Sequence, residues 1–182
     1  MHRLGMCFSV LPARVAIMST SPEHYDEADP FGALERAGVT VERDGGTFTS
    51  STIEISGISI PLGTTAGERF AFTLPDSANI TVAFGKEGVL KKLSKVFTKE
   101  PQIGDQEFDD NVYITAKDET LTKRFLDNED LKALILEFVS GGGLVIIGDT
   151  KIEVHAANKG TVSTAKDSDV ARLVCHAMAF RE

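Results

Sequence analysis

Tryptophan is absent from this chain, and tyrosine and cysteine occur twice each. So few indole and phenol rings argue against an aromatic platform for sugars or bases, although phenylalanine is plentiful. Two cysteines, Cys7 and Cys175, are too few for a disulfide framework. They fit a reducing compartment, so the expected location is cytoplasmic. Long apolar runs are missing too. The longest early one, Leu4 to Met18, is interrupted by Pro12 and Arg14 and falls short of the ~20 residues of a span. No small-x-small cleavage site follows it, so it does not read as a secretory signal. Both Met1 and Met18 can serve as the start. Positive charge is in deficit: the formal net charge is −8, which excludes generic binding to nucleic-acid backbone.

Motifs are missing as well. There is no G-x-x-x-x-G-K, G-x-G-x-x-G, G-x-S-x-G or C-x-x-C. Ser140-Gly141-Gly142-Gly143 lies between a helix end and a strand start. A phosphate cradle needs its glycines before a helix N-terminus, where N–H groups point outward. No catalytic, cofactor-binding or metal-ligating residue is assigned, and no cofactor is expected.

What is present reads as a globular α+β protein. The chain has 182 residues, 42% hydrophobic and 25% charged, enough for one domain with a sizeable core. Residues 1–29 are polar or broken in pattern and read as a flexible arm; 30–182 form the domain, divisible into 30–85 and 86–182. Pro30 to Ala37 predicts a short helix, with Asp29 as cap and Gly38 as stop. From Val39 the period is two. Asp44-Gly45-Gly46 reads as a turn, Thr47 to Ile55 as a strand and Leu62 to Gly67 as a loop. Phe70, Phe72 and Leu74 alternate, as do Ile80, Val82 and Phe84, giving an antiparallel meander of five or six short strands. Glu87 to Phe97 returns to helical period, with Val89, Leu90, Leu93, Val96 and Phe97 as its apolar stripe.

The best-specified stretch runs from Gly104 to His155. Phe108, Val112, Ile114 and Ala116 share one parity and predict a strand entered by a charged turn. Asp118 caps a short helix carrying Leu121, Phe125 and Leu126. Asp127 or Asn128 caps a longer one, whose Leu131, Leu134, Ile135 and Phe138 fall at i, i+3, i+4 and i+7. Leu144 to Ile147 and Lys151 to His155 predict a hairpin around a Gly148-Asp149 turn. Ala156 to Val162 reads as a loop. Ser163 or Thr164 caps a last helix with Val170, Leu173, Val174 and Ala177 inward. The expected order is thus β meander, helix, strand, helical pair, hairpin and C-terminal helix. The pattern G-D-x-x-F-D, strand, Leu-rich helix, Gly-rich turn and hairpin, over Gly104 to Val154, resembles the C-terminal part of a group of bacterial proteins with no assigned activity. Many of that group are membrane-associated and carry hydrophobic spans upstream, which this chain lacks. The resemblance implies no catalytic residues.

Two functional readings follow. Lys86, Lys91, Lys92, Lys95 and Lys99 stand against Glu87 alone, so Lys86 to Lys99 carries a net +4. Most of these lysines share a helical face and form the candidate interaction surface. Asp105 to Asp130 carries nine acids against three bases, a net of −6. Opposite patches can dock within the chain, pair copies of it, or hold an acidic protein or, at the periphery of a membrane, anionic lipid headgroups. The first reading is therefore a non-catalytic soluble module that binds a protein partner or itself. The alternative is a small metal-dependent or cysteine hydrolase. It would use Asp109 or Asp110 with His155 or His176, or Cys175 with His155. Asp105, Glu107, Asp109 and Asp110 cluster as a cation site would, yet Asp110 stands where a calcium loop needs glycine and Ala116 where it needs its closing Glu, so a solvated turn before a strand is the preferred reading. His155 shares parity with Lys151 and Glu153, so it is expected on the outer face. His176 is expected on the polar face of the last helix.

Overall fold

The computed structural model describes residues 28–55, 58–90, 101–159, 162–163 and 166–180, and only the backbone of 46–66, 158, 159, 162 and 163. The expected arm through residue 27, with His2, Cys7 and His24, lies outside these residues. So do Lys91, Lys92, Lys95 and Lys99, with the rest of the helix expected to Phe97.

The fold is α+β, an open antiparallel sheet with helices packed on it. Strands β1 (Thr40–Ile55), β2 (Ile58–Thr73), β3 (Val82–Gly85), β4 (Tyr113–Ala116), β5 (Leu144–Ile147) and β6 (Lys151–Lys159) lie in the order β1-β2-β6-β5-β3-β4. A short β7 (Val162–Ser163) pairs with the end of β6. The hairpin β5–β6 sits between β2 and β3, so the expected meander is interrupted by strands from the second half. Residues 74–81 bridge that gap. They cross the tip of β5–β6, where Leu74 N–H donates to Thr150 O at 2.8 Å and Ala78 N–H to Asp149 O at 2.7 Å.

Four further strand expectations are corrected. Asp44-Gly45-Gly46 is not a turn and residues 62–67 are not a loop, because β1 and β2 run through them as one ladder. A Cβ at Gly67 would collide with the Ala156 carbonyl, so that glycine permits the approach of β6 rather than a turn. The β5–β6 turn is centred on Asp149-Thr150, with Gly148 N–H donating to Lys151 O at 2.7 Å. Moving a turn by one residue moves the register by two, so every side chain keeps its face. The loop expected from Ala156 is strand as far as it is described: β6 runs to Lys159, and Val162 begins β7.

One sheet face holds the main core. Phe70, Phe72, Val82, Phe84, Ile114, Val145, Ile147, Ile152 and Val154 come from five strands and are all buried. Helices α1 (Pro30–Arg36), α4 (Glu119–Phe125), α5 (Glu129–Ser140) and α6 (Asp167–Ala179) add side chains to the same core. Asp29 caps α1 through Gly32 N–H, and Phe31 packs on the rings of Phe70 and Phe72. Asn128 caps α5 through Leu131 N–H. Helix α6 starts at Asp167, later than expected, and its N-cap, Lys166, makes no side-chain capping bond. Val170, Leu173, Val174 and Ala177 are buried as their spacing predicts. The opposite face is also covered, at Ala83, Thr115, Leu144 and Ile146. Helix α2 (Glu87–Leu90) contributes Leu90 there, against Gly85 and Leu144, while Val89 is exposed and leaves the expected stripe.

Helix α5 stops in a Schellman turn. Gly143 N–H donates to Phe138 O and Gly142 N–H to Val139 O, both at 2.9 Å. Gly141 keeps a right-handed helical conformation, whereas Gly142 has φ +89°. A Cβ at Gly143 would stand 2.7 Å from Phe138 O and 2.8 Å from His155 O. The three glycines should therefore tolerate alanine unequally. We expect Gly141→Ala to be nearly neutral and Gly142→Ala to cost about 1–2 kcal/mol as left-handed strain. Gly143→Ala should cost about 2–3 kcal/mol by overpacking against fixed carbonyls. Urea unfolding of the three variants checks the order, and a largest loss at Gly141 would refute it.

Candidate functional site

The acidic segment is a helix, not a strand. Asp105 caps α3 (Gln106–Asn111), accepting from Phe108 N–H at 3.2 Å. Phe108 and Val112 are four apart, a spacing that suits a helix turn as well as a strand. Lys132 of α5 reaches Asp105 Oδ2 at 3.2 Å and Glu129 at 2.9 Å, tying α3 to α5. The Phe108 N–H and then Lys132 hold the Asp105 carboxyl below the usual carboxylate range. Asp109 accepts from Ile103 N–H at 3.0 Å and Gly104 N–H at 2.9 Å, where Gly104 has φ +88°. Two of the four clustered acids are thus occupied in shaping this turn. Among the described residues, no group of three or more His, Cys, Asp or Glu side chains is placed to hold a metal ion.

Lys86 meets this turn. It follows β3, and its Nζ donates to Asn111 O at 3.3 Å, at the end of α3, where helix carbonyls lack partners. A polar cleft of about 230 Å³ opens between Lys86, Gln102, Asp109, Asp110 and Tyr113. The structure so brings one residue of the candidate lysine surface beside two candidate acids.

His155 and Glu153 lie on the face opposite Ile152 and Val154, as parity requires, but both are buried and not outward. Arg69 on β2 accounts for this. Its Nη2 donates to Glu153 Oε1 at 3.0 Å, its Nε to Oε2 at 3.3 Å, and its Nη1 to Asp44 Oδ2 at 3.2 Å. His155 Nε2 lies 3.2 Å from Glu153 Oε2. Burial pushes the Glu153 carboxyl up, but hydrogen bonds from His155 and Arg69, with the charge of Arg69, outweigh it and hold it below its ordinary value. The network spans β1, β2 and β6. Sequence reading missed Arg69. Its parity opposite Phe70 and Phe72 places it on this face, but its partners come from a register that local pattern does not show.

The remaining candidates have other surroundings. His176 is half-buried on α6, not fully on a polar face, and its Nδ1 is 3.5 Å from Asn128 Nδ2. Burial and then the Arg172 charge lower its pKa, against a raising effect from Asp130. Cys175 is half-buried, and burial pushes its thiol up, away from the reactive thiolate. Arg43 joins β1 to α6, with Nη1 2.9 Å from Asp167 Oδ2, and lies over the Phe70 ring.

These features define an α+β protein whose described polar groups largely bridge one element to another. No protein-family model and no curated protein matches the chain. Among solved structures, it is similar to the mycobacterial trehalose monomycolate transport factor A, TtfA. The TM-score is 0.39 and the identity 9%, over 82% of this chain and 91% of that one, a likeness too slight to carry an argument. No helix among the described residues is long and apolar enough to cross a membrane.

Proposed function

We propose that this chain is a non-catalytic cytoplasmic module that binds protein surfaces, its own copies included. The observation that carries this reading is the open sheet: among the described residues it ends at β1 on one side and β4 on the other. An edge strand presents a row of N–H and C=O groups that another chain can pair with. The lysine segment supplies a second, electrostatic contact. Lys86 is exposed beside the acidic turn, and Lys91, Lys92, Lys95 and Lys99 follow in sequence. An anionic partner, acidic protein or lipid headgroup, suits that charge.

Self-association and binding to anionic vesicles, measured at low and high salt, test the electrostatic contact. The comparison is wild type against a variant with Lys86, Lys91, Lys92 and Lys95 changed to Gln. The wild type should bind at low salt and weaken as salt rises, since the Debye length is only ~8 Å at physiological ionic strength. The variant should bind less. If it matches the wild type in both assays at low salt, the lysines only solubilise the chain and the reading loses that support.

A further inference from the structure

We propose that two copies of this chain pair through the distal edge of β1, Thr47–Ile55, in an antiparallel, two-fold arrangement. This rests on the self-association half of the reading above. Strands β1 and β2 pair from Thr40↔Thr73 out to Ile55↔Ile58. Among the described residues, strand β6 accompanies β2 only from Thr73 to Gly67. Beyond Gly46 and Gly67 the hairpin therefore leaves the sheet as a two-stranded ribbon, about 30 Å long at ~3.3 Å per residue. A lone two-stranded ribbon is marginal in water, and further strands stabilise it.

Composition selects a second copy as the occupant. Residues 47–66 hold one charged residue, Glu54, in a chain of net charge −8. Copies of an acidic chain repel over much of their surface, and this nearly uncharged ribbon is a place where they meet with little repulsion. It is rich in Thr and Ile, which favour strand pairing. The edge of β1 is the suitable one, because Thr40 to Ile55 contains no proline, whereas β2 contains Pro61, which cannot donate to a ladder.

Charge also sets the register. A two-fold centred on Arg43 would oppose Glu42 of one copy to Asp44 of the other, like charge against like. Centred on Ser51, the pairing opposes Glu54 to Phe48 and Ile55 to Thr47, with no like charges facing. Ser51 stands between two irregularities of the β1–β2 ladder. A change there disturbs β2 least, and each copy's residue 51 meets its twin.

Light scattering on the full chain, diluted from high to low concentration, tests the proposal. The wild type should be a dimer that persists at high salt, unlike a contact made by the lysines. Ser51→Lys should raise the dissociation constant at least ~tenfold by opposing two charges, while Ser51→Asn keeps it, with circular dichroism showing both folded. In a Cys7→Ser, Cys175→Ser background, Ser51→Cys should form a covalent dimer with oxidised glutathione. A wild type that stays monomeric at every concentration overturns the pairing and leaves the anionic-partner reading standing. A wild-type dimer that Ser51→Lys does not weaken places self-association on another surface and overturns the ribbon.

Discussion

Replacing Arg69 with Met is expected to lower the unfolding free energy by about 3 kcal/mol at pH 7. Removing one partner of a buried pair leaves the other charge uncompensated, a loss of ~3–5 kcal/mol when both are fully buried. The Arg69 side chain keeps 23% exposure against 10% for Glu153, so the lower end applies. The loss should depend on pH with a fixed sign. Glu153 has a depressed folded-state pKa, so its contribution is present above the unfolded carboxyl value, ~4.3, and disappears as pH falls through the folded value. Without Arg69, burial is opposed by His155 alone, and Glu153 takes a proton more readily. The gap between wild type and variant should then be full from pH 7 to about 5 and narrow below that. Adding Glu153→Leu to Arg69→Met should recover part of the loss, because no charge is left stranded. Urea unfolding at pH 7, 5 and 3.5 measures all of this. A gap that stays constant down to pH 3.5 would show that Arg69 acts by packing and not through the Glu153 charge.

Much of this fold was legible from periodicity, and the errors have physical causes. The faces of α5 and α6 followed from 3.6-residue spacing, because both pack on one sheet face. Asp29 and Asp118 were readable as caps and Asn128 as one of two candidates with Asp127, and each of the three accepts the N–H three residues on. Helix α3 was not readable, because Phe108 and Val112 satisfy both periods and only the bond from Phe108 to Asp105 decides between them. The Asp44-Gly45-Gly46 turn failed for a non-local reason. Gly46 pairs with Gly67 on the neighbouring strand, and Gly67 admits the backbone of β6. His155 was placed on the correct face with the wrong exposure. Parity sets the direction of a side chain, but not whether Arg69 lies across the ladder. The candidate site was least legible for the same reason: its partners are 84 residues apart, as Arg69 and Glu153 are.

Truncating the buried face of α5 should produce losses as large as any in the chain. Ile135 has no measurable exposure and Phe138 only 6%, and both belong to the core shared by α5, α6 and the sheet. Ile135→Ala should cost about 3–4 kcal/mol and Phe138→Ala about 3–5 kcal/mol, the transfer of the lost atoms plus the cavity left behind. Leu134 is also buried but lies outside that main cluster, so Leu134→Ala should cost less, about 2–3 kcal/mol. Phe138 has an added constraint. Its carbonyl accepts the Gly143 N–H that closes the helix, so backbone shifts that would fill the cavity are opposed by the turn into β5. A site that cannot collapse keeps its cavity and most of the penalty. Glu137, on the exposed side of the same helix, supplies the control: Glu137→Ala should change stability by less than about 0.5 kcal/mol. Urea midpoints at constant m-value rank the four variants. If Phe138→Ala behaves like Glu137→Ala, α5 does not close this core, and the sheet face it covers must be buried by another element.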